Sequence, residues 1–171
     1  QRAMARAFNL PIVWGTAPTL DGRSLSVARD AGVPAIYAEY HGSGLCDPKG
    51  VEAYVDGCLN AMRWLRMLPG DVEPRRVELT VEDPRPDSGH MQVCNPSPVT
   101  GFFEPAVDLG QRVRQGDLLG RVVDPTNDAR HELRVREAGI VLVLRTFSRV
   151  MAGESVGVVL ATTPDGARAA S

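Results

Sequence analysis

The sequence predicts an α/β region followed by an all-β region. Three observations lead there. Helical periodicity alternates with short apolar extended runs up to about residue 70. Directly after it comes a stretch dense in proline and charge, DVEPRRVELTVEDPRPDSG, which breaks the pattern. The remainder contains an internal echo, in which TGFFEPAVDLGQRVRQGDLLGRVVD from Thr100 is answered by AGIVLVLRTFSRVMAGESVGVVLAT from Ala138.

The elements of the first region follow in order. RAMARAF reads as a short helix and PIVWGT as an extended segment. SLSVARDAG reads as a helix with Asp21 or Ser24 as N-cap, whose oxygen would accept from the first-turn N–H groups, and with Gly32 just past its end. In VPAIYAEY, Ala35, Tyr37 and Glu39 alternate with Ile36, Ala38 and Tyr40, which predicts a short strand covered on both faces. CDPKGVEAYVDGCLNAMRWLRMLPG predicts a longer helix, with Asp47 as N-cap and Pro48 in the first position. Val51, Tyr54, Val55, Cys58, Met62 and Leu65 recur there at helical spacing, and Pro69 and Gly70 stop it.

The boundary is expected near residues 70 to 75, giving domains 1–72 and 73–165 and a frayed tail at 166–171. Within the β region Gly101 matches Gly139, and GDLLGRVV matches GESVGVVL. Each copy reads as strand, turn, a G-[DE]-x-x-G turn, then strand. Two such layers folding over each other would bury apolar faces that neither covers alone, so a β-sandwich or barrel-sandwich with an internal two-fold repeat is expected.

Bulk properties narrow the function classes. A net charge of -2 over 171 residues gives no reason to expect nucleic acid or an anionic membrane as partner. No run approaches the about 18 apolar residues of a membrane helix, and QRAMARAF lacks the apolar core of a signal peptide, so a cytoplasmic protein is expected. Cys46, Cys58 and Cys94 are odd in number, have no metal-type spacing and read as buried free thiols. The chain starts at Gln1, inside a predicted helix, which is expected of a piece of a longer protein. A partial sheet would leave apolar faces and strand edges uncovered, so a homo-oligomer is expected.

Glu39 is the first candidate for chemistry. An acid at the carboxyl end of a strand in an open α/β sheet can face a ligand crevice; it can equally cap a helix or pair with an arginine. Gly42 and Gly44 after it would let backbone approach a ligand. HGSG is not a nucleophile elbow, because His41 stands where the first glycine of G-x-S-x-G belongs. None of His41, His90 and His131 lies in an HExxH motif, so no local motif supplies zinc ligands. The β region is similar to the biotinyl/lipoyl carrier fold. The hairpin stretch VVDPTNDARH has no lysine, and Lys49 is the only one in the chain, so carrier chemistry, which needs a primary amine, is excluded.

Three stretches together carry a further resemblance: GRSLSVARDAGVPAIYAEYHGSG, the long helix after it, and GFFEPAVDLGQRVRQGDLLGRVVD. They resemble the C-terminal half of succinylglutamate desuccinylase/aspartoacylase-type deacylases, relatives of the zinc carboxypeptidases, from about residue 5 to residue 160. The resemblance implies part of a carboxypeptidase-like α/β/α domain followed by the β domain. It implies hydrolysis of an N-acyl amino acid or similar small amide by a Zn²⁺ enzyme, with Glu39 matching the family's general base. His41, where many relatives have glycine, is then a candidate for binding the substrate carboxylate or tuning Glu39. The family's zinc ligands, an H-x-x-E pair and a later histidine, precede the matching region and have no counterpart here. The chain alone is therefore expected to be inactive. The competing expectation is a non-catalytic binding or assembly module in which Glu39 is structural.

Overall fold

The computed structural model describes all residues except Ser43, Pro74, Arg75, Asp87, Gln92, Val93 and residues 163–171. The expected tail at 166–171 and the serine of HGSG thus lie outside the described residues. The chain divides into two units, Gln1–Ser88 and one that begins at Gly89. Among the described residues no helix is long and apolar enough to cross a membrane.

The first unit contains α1 (Arg2–Phe8), β1 (Ile12–Gly15), α2 (Ser24–Asp30), α3 (Pro48–Trp64) and β2 (Leu79–Glu82). β1 and β2 run parallel, from Ile12 opposite Leu79 to Gly15 opposite Glu82. Parallel strands need a long crossover, and the chain through α2 and α3 supplies it. This pairing corrects the boundary expected after residue 72, because the charged, proline-rich stretch carries the second strand of the sheet. Glu78 N–H bonds to the Pro11 carbonyl and Asp83 N–H to that of Gly15, extending the ladder at both ends. Ser88 closes the unit, its hydroxyl oxygen accepting from Ala17 N–H at 2.7 Å while it donates to the Asp83 carbonyl.

Helix ends follow local chemistry. α2 starts at Ser24, with Arg23 as N-cap in place of Asp21 or Ser24. The Ser26 hydroxyl accepts from Arg23 N–H and donates to the Leu20 carbonyl, while Asp21 pairs with Arg29. Gly32 follows at φ 68, a left-handed conformation that glycine adopts without strain. Asp47 caps α3 as expected, Oδ1 accepting from Lys49 N–H at 3.0 Å, with Pro48 in the first turn. The helix ends at Trp64, ahead of Pro69, where Arg66 at φ 61 reverses the chain.

Further expectations fail in this unit, where Cys46 and Cys58, expected as buried thiols, are exposed. VPAIYAEY is not a strand: residues 33 to 42 have no regular structure. A strand needs a ladder partner, and among the described residues β1 and β2 pair only with each other. The buried side of α3 is also not the predicted stripe. Gly50, Gly57 and Asn60 are buried, whereas Val51 and Val55 are 50% and 53% exposed. α1 meets α3 across Gly57, on which the Phe8 ring lies, so small residues mark the contact face.

The second unit contains β3 (Gly101–Pro105), β4 (Arg112–Val113), β5 (Leu118–Val123), β6 (Arg130–Arg134), β7 (Gly139–Leu144), β8 (Arg149–Val150) and β9 (Gly157–Ala161). One sheet has the order β6-β5-β3-β8 and the other β4-β7-β9. All their pairings are antiparallel. Strands of both sheets feed one core, in which Leu119, Val122, Val150 and Val156 are fully buried. Each such side chain contributes about 1.5–3 kcal/mol by leaving water.

The G-[DE]-x-x-G turns have a common construction. Gly116 and Gly153 have φ 90 and 87, where a side chain would be strained. The acid after each glycine accepts a backbone N–H three residues earlier: Asp117 Oδ2 from Arg114 at 2.8 Å and Glu154 Oε2 from Met151 at 3.0 Å.

Candidate active site

Glu39, Tyr40 and His41 lie on the extended segment ahead of α3. The Tyr40 ring covers the helix at Gly50, which is buried and where a side chain would overlap that ring. The Tyr40 hydroxyl donates to Asp47 Oδ2 at 3.2 Å. Tyr40 therefore touches the first turn of α3 through both its ring and its hydroxyl.

A row of rings continues from there. His41 lies over Tyr40 with ring centres 4.7 Å apart at 33°. Tyr54 meets Tyr40 edge-on at 6.3 Å and Phe8 edge-on at 5.7 Å, both favourable arrangements of the ring quadrupoles. Gly50 and Gly57 stand two helical turns apart and seat Tyr40 and Phe8, the two rings that meet Tyr54.

The electrostatics are those of a partly solvated acid beside aromatics. Glu39 is exposed. Burial raises the Tyr54 hydroxyl above its ordinary pKa, and the nearby Glu39 charge raises it further. His41 Nδ1 stands 3.9 Å from Asp47 Oδ2, so Asp47 faces Tyr40, His41 and the helix N-terminus together. Among the described residues Glu39 makes no hydrogen bond or ion pair, so neither a helix cap nor an arginine partner is found for it there.

Both sequence candidates, Glu39 and His41, are thus brought to one place. Tyr40, Tyr54 and Gly50 were missed as parts of it. Their signal was in the sequence as two glycines seven apart on a helix with a tyrosine between them, preceded by a tyrosine in the incoming segment. His90 and His131 belong to the second unit, His131 on β6. Among the described residues no group of three or more His, Cys, Asp or Glu side chains could hold a metal ion. The residues present therefore do not fit the zinc that the resemblance implies.

No family model matches the chain, and no curated protein sequence is detectably similar to it. Solved structures are. The ectoine utilization protein EutE (DoeB) from Ruegeria pomeroyi, in its apo form, superposes on 94% of this chain with a TM-score of 0.80 and 28% identity. Its product-bound structure gives 94%, 0.80 and 29%. A succinylglutamate desuccinylase/aspartoacylase from Rhodobacter sphaeroides covers 92% at a TM-score of 0.77 and 27% identity. The matches take in 50%, 48% and 47% of those chains, so this chain spans about half their length. In fold, the chain is thus similar to structures of the succinylglutamate desuccinylase/aspartoacylase family.

Proposed function

We propose that the chain is the C-terminal portion of a hydrolase that removes the acyl group from an N-acyl amino acid or a similar small amide, with Glu39 as general base. The observation that carries the reading is the exposed Glu39 carboxylate, unpaired among the described residues, on the segment entering α3, in a chain similar over nearly its whole length to deacylase-family structures. A carboxylate without a protein partner keeps its lone pairs for a water molecule. It takes a proton as that water attacks the amide carbonyl, then delivers the proton to the leaving nitrogen. His41, beside it, supplies a donor for the substrate carboxylate.

The intact enzyme is proposed to use zinc, with ligands that are not residues of this chain. This chain's contribution is the base and the segment that carries it. The test is Glu39→Gln in the complete enzyme, assayed with N-acetyl and N-succinyl amino acids. Losing a general base lowers the rate about 100- to 10,000-fold, and the metal content should stay at the wild-type level. Retained hydrolysis refutes the assignment.

The second unit is read as a barrel-sandwich with an internal two-fold repeat. Its support is reciprocal pairing: β4 of the first copy pairs with β7 of the second, and β8 of the second with β3 of the first.

A further inference from the structure

We infer that Tyr40 is a positioning residue for Glu39, held by a clamp that Asp47 and Gly50 form at the start of α3; this rests on the reading of Glu39 as general base. The segment from residue 33 to 42 has no ladder hydrogen bonds to fix its backbone. A general base on such a segment would wander, and small displacements of a reacting group lower the rate steeply. The residue after Glu39 is the one tied down.

Three contacts tie it. The Tyr40 ring lies on the Gly50 backbone, where any side chain would displace it. Its hydroxyl donates to Asp47 Oδ2. His41 lies against the Tyr40 ring, close to the same carboxylate. Asp47 is itself fixed, because Oδ1 caps α3 by accepting from Lys49 N–H. One carboxylate thus joins the helix N-terminus to the segment that carries Glu39, and the absence of a side chain at Gly50 lets the segment lie close.

The test uses two mild variants of the complete enzyme. Tyr40→Phe keeps the ring on Gly50 and removes the donor. Asp47→Ser keeps a capping oxygen, a substitution at N-cap that alters helix stability little, and is too short to reach the Tyr40 hydroxyl. With the best substrate of the N-acetyl and N-succinyl panel, each should lower kcat about 10-fold with KM changed less than about 2-fold, the pattern of a group acting in the transition state. The double variant should be no worse than either single one, because both break the same contact. NMR order parameters of residues 39 to 41 should fall in each, independently of any substrate.

Normal kcat in both variants with an inactive Glu39→Gln enzyme overturns the clamp and leaves the base standing. An active Glu39→Gln enzyme removes the base and the clamp's role together. Losses that add in the double variant, losses confined to KM, or unchanged order at residues 39 to 41 also overturn the inference.

Discussion

The ring of Phe8 lies in the space that a side chain at Gly57 would need. α1 has seven residues, too few for a helix to persist alone in water, so its place depends on packing, and Phe8 is its buried end. Alanine at an exposed helix position is about 1 kcal/mol better than glycine. At Gly57 the overlap with Phe8 should reverse that sign, since overpacking costs about 1–3 kcal/mol. Gly57→Ala is expected to lower the melting temperature, and less so in a Phe8→Leu background, where the ring is gone. A raised melting temperature would show that α1 yields without loss.

Gly101 and Gly139 should be equally intolerant for a sterner reason. A Cβ on Gly101 would meet the carbonyl oxygen of Val123, and one on Gly139 that of Leu160. Backbone cannot turn aside as a side chain can. Each alanine variant should lose about 2–4 kcal/mol in urea unfolding, the range of severe core damage. Gly116→Ala and Gly153→Ala, with open space around them, should lose only the left-handed backbone strain of about 1–2 kcal/mol. Equal losses at all four positions would mean that conformation, not close approach, sets the requirement.

These glycines show what kind of information the sequence carries plainly. The correspondences Gly101 with Gly139 and GDLLG with GESVG were visible as letters, because the same turn and the same close approach demand the same residues wherever they recur. Asp47 and Pro48 were legible for a similar reason, since an N-cap is settled within three residues. Burial of α3 was not legible. Val51, Val55 and Leu65 look like a core stripe, but which face a helix buries depends on what packs against it, and here that is Phe8 on Gly57. The run VPAIYAEY has the composition of a strand without a strand beside it. β2 was hidden among prolines and charges because its partner, β1, lies more than sixty residues earlier. For the site, Glu39 and His41 stood out by chemical type, whereas Tyr40 matters through Asp47 and Gly50, contacts that only the fold brings together.

The turn acid Glu154 gives a prediction about pH. Its carboxylate accepts from Met151 N–H and from Arg145, and these hold its pKa below the usual carboxylate range, the backbone hydrogen bond being the largest cause. A depressed folded pKa means that the unfolded chain binds the proton more readily. The stabilisation is therefore fully present above the unfolded value of about 4.3 and disappears as pH falls through the folded one. The difference in stability between wild type and Glu154→Gln should be largest above about pH 5 and shrink below about pH 4. NMR titration of the Glu154 carboxyl checks the direction, and a value at or above the free glutamate range would contradict it.

The exposed side of α3 leads to the last prediction. Val51 and Val55 stand one turn apart in solvent, with Leu65 further along and Val27, Val33 and Leu45 also exposed elsewhere in the same unit. β1 and β2, pairing only with each other among the described residues, leave strand edges open on both sides. Exposed apolar area and open edges both favour association. The chain by itself should scatter light as a species larger than 18.4 kDa. The double substitution V51E/V55K places an acid one turn ahead of a base, an arrangement that supports the helix, so circular dichroism should remain unchanged while association weakens. A wild-type chain that stays monomeric at high micromolar concentration would show that this face needs no cover. An unchanged oligomer in V51E/V55K would instead assign association to the strand edges.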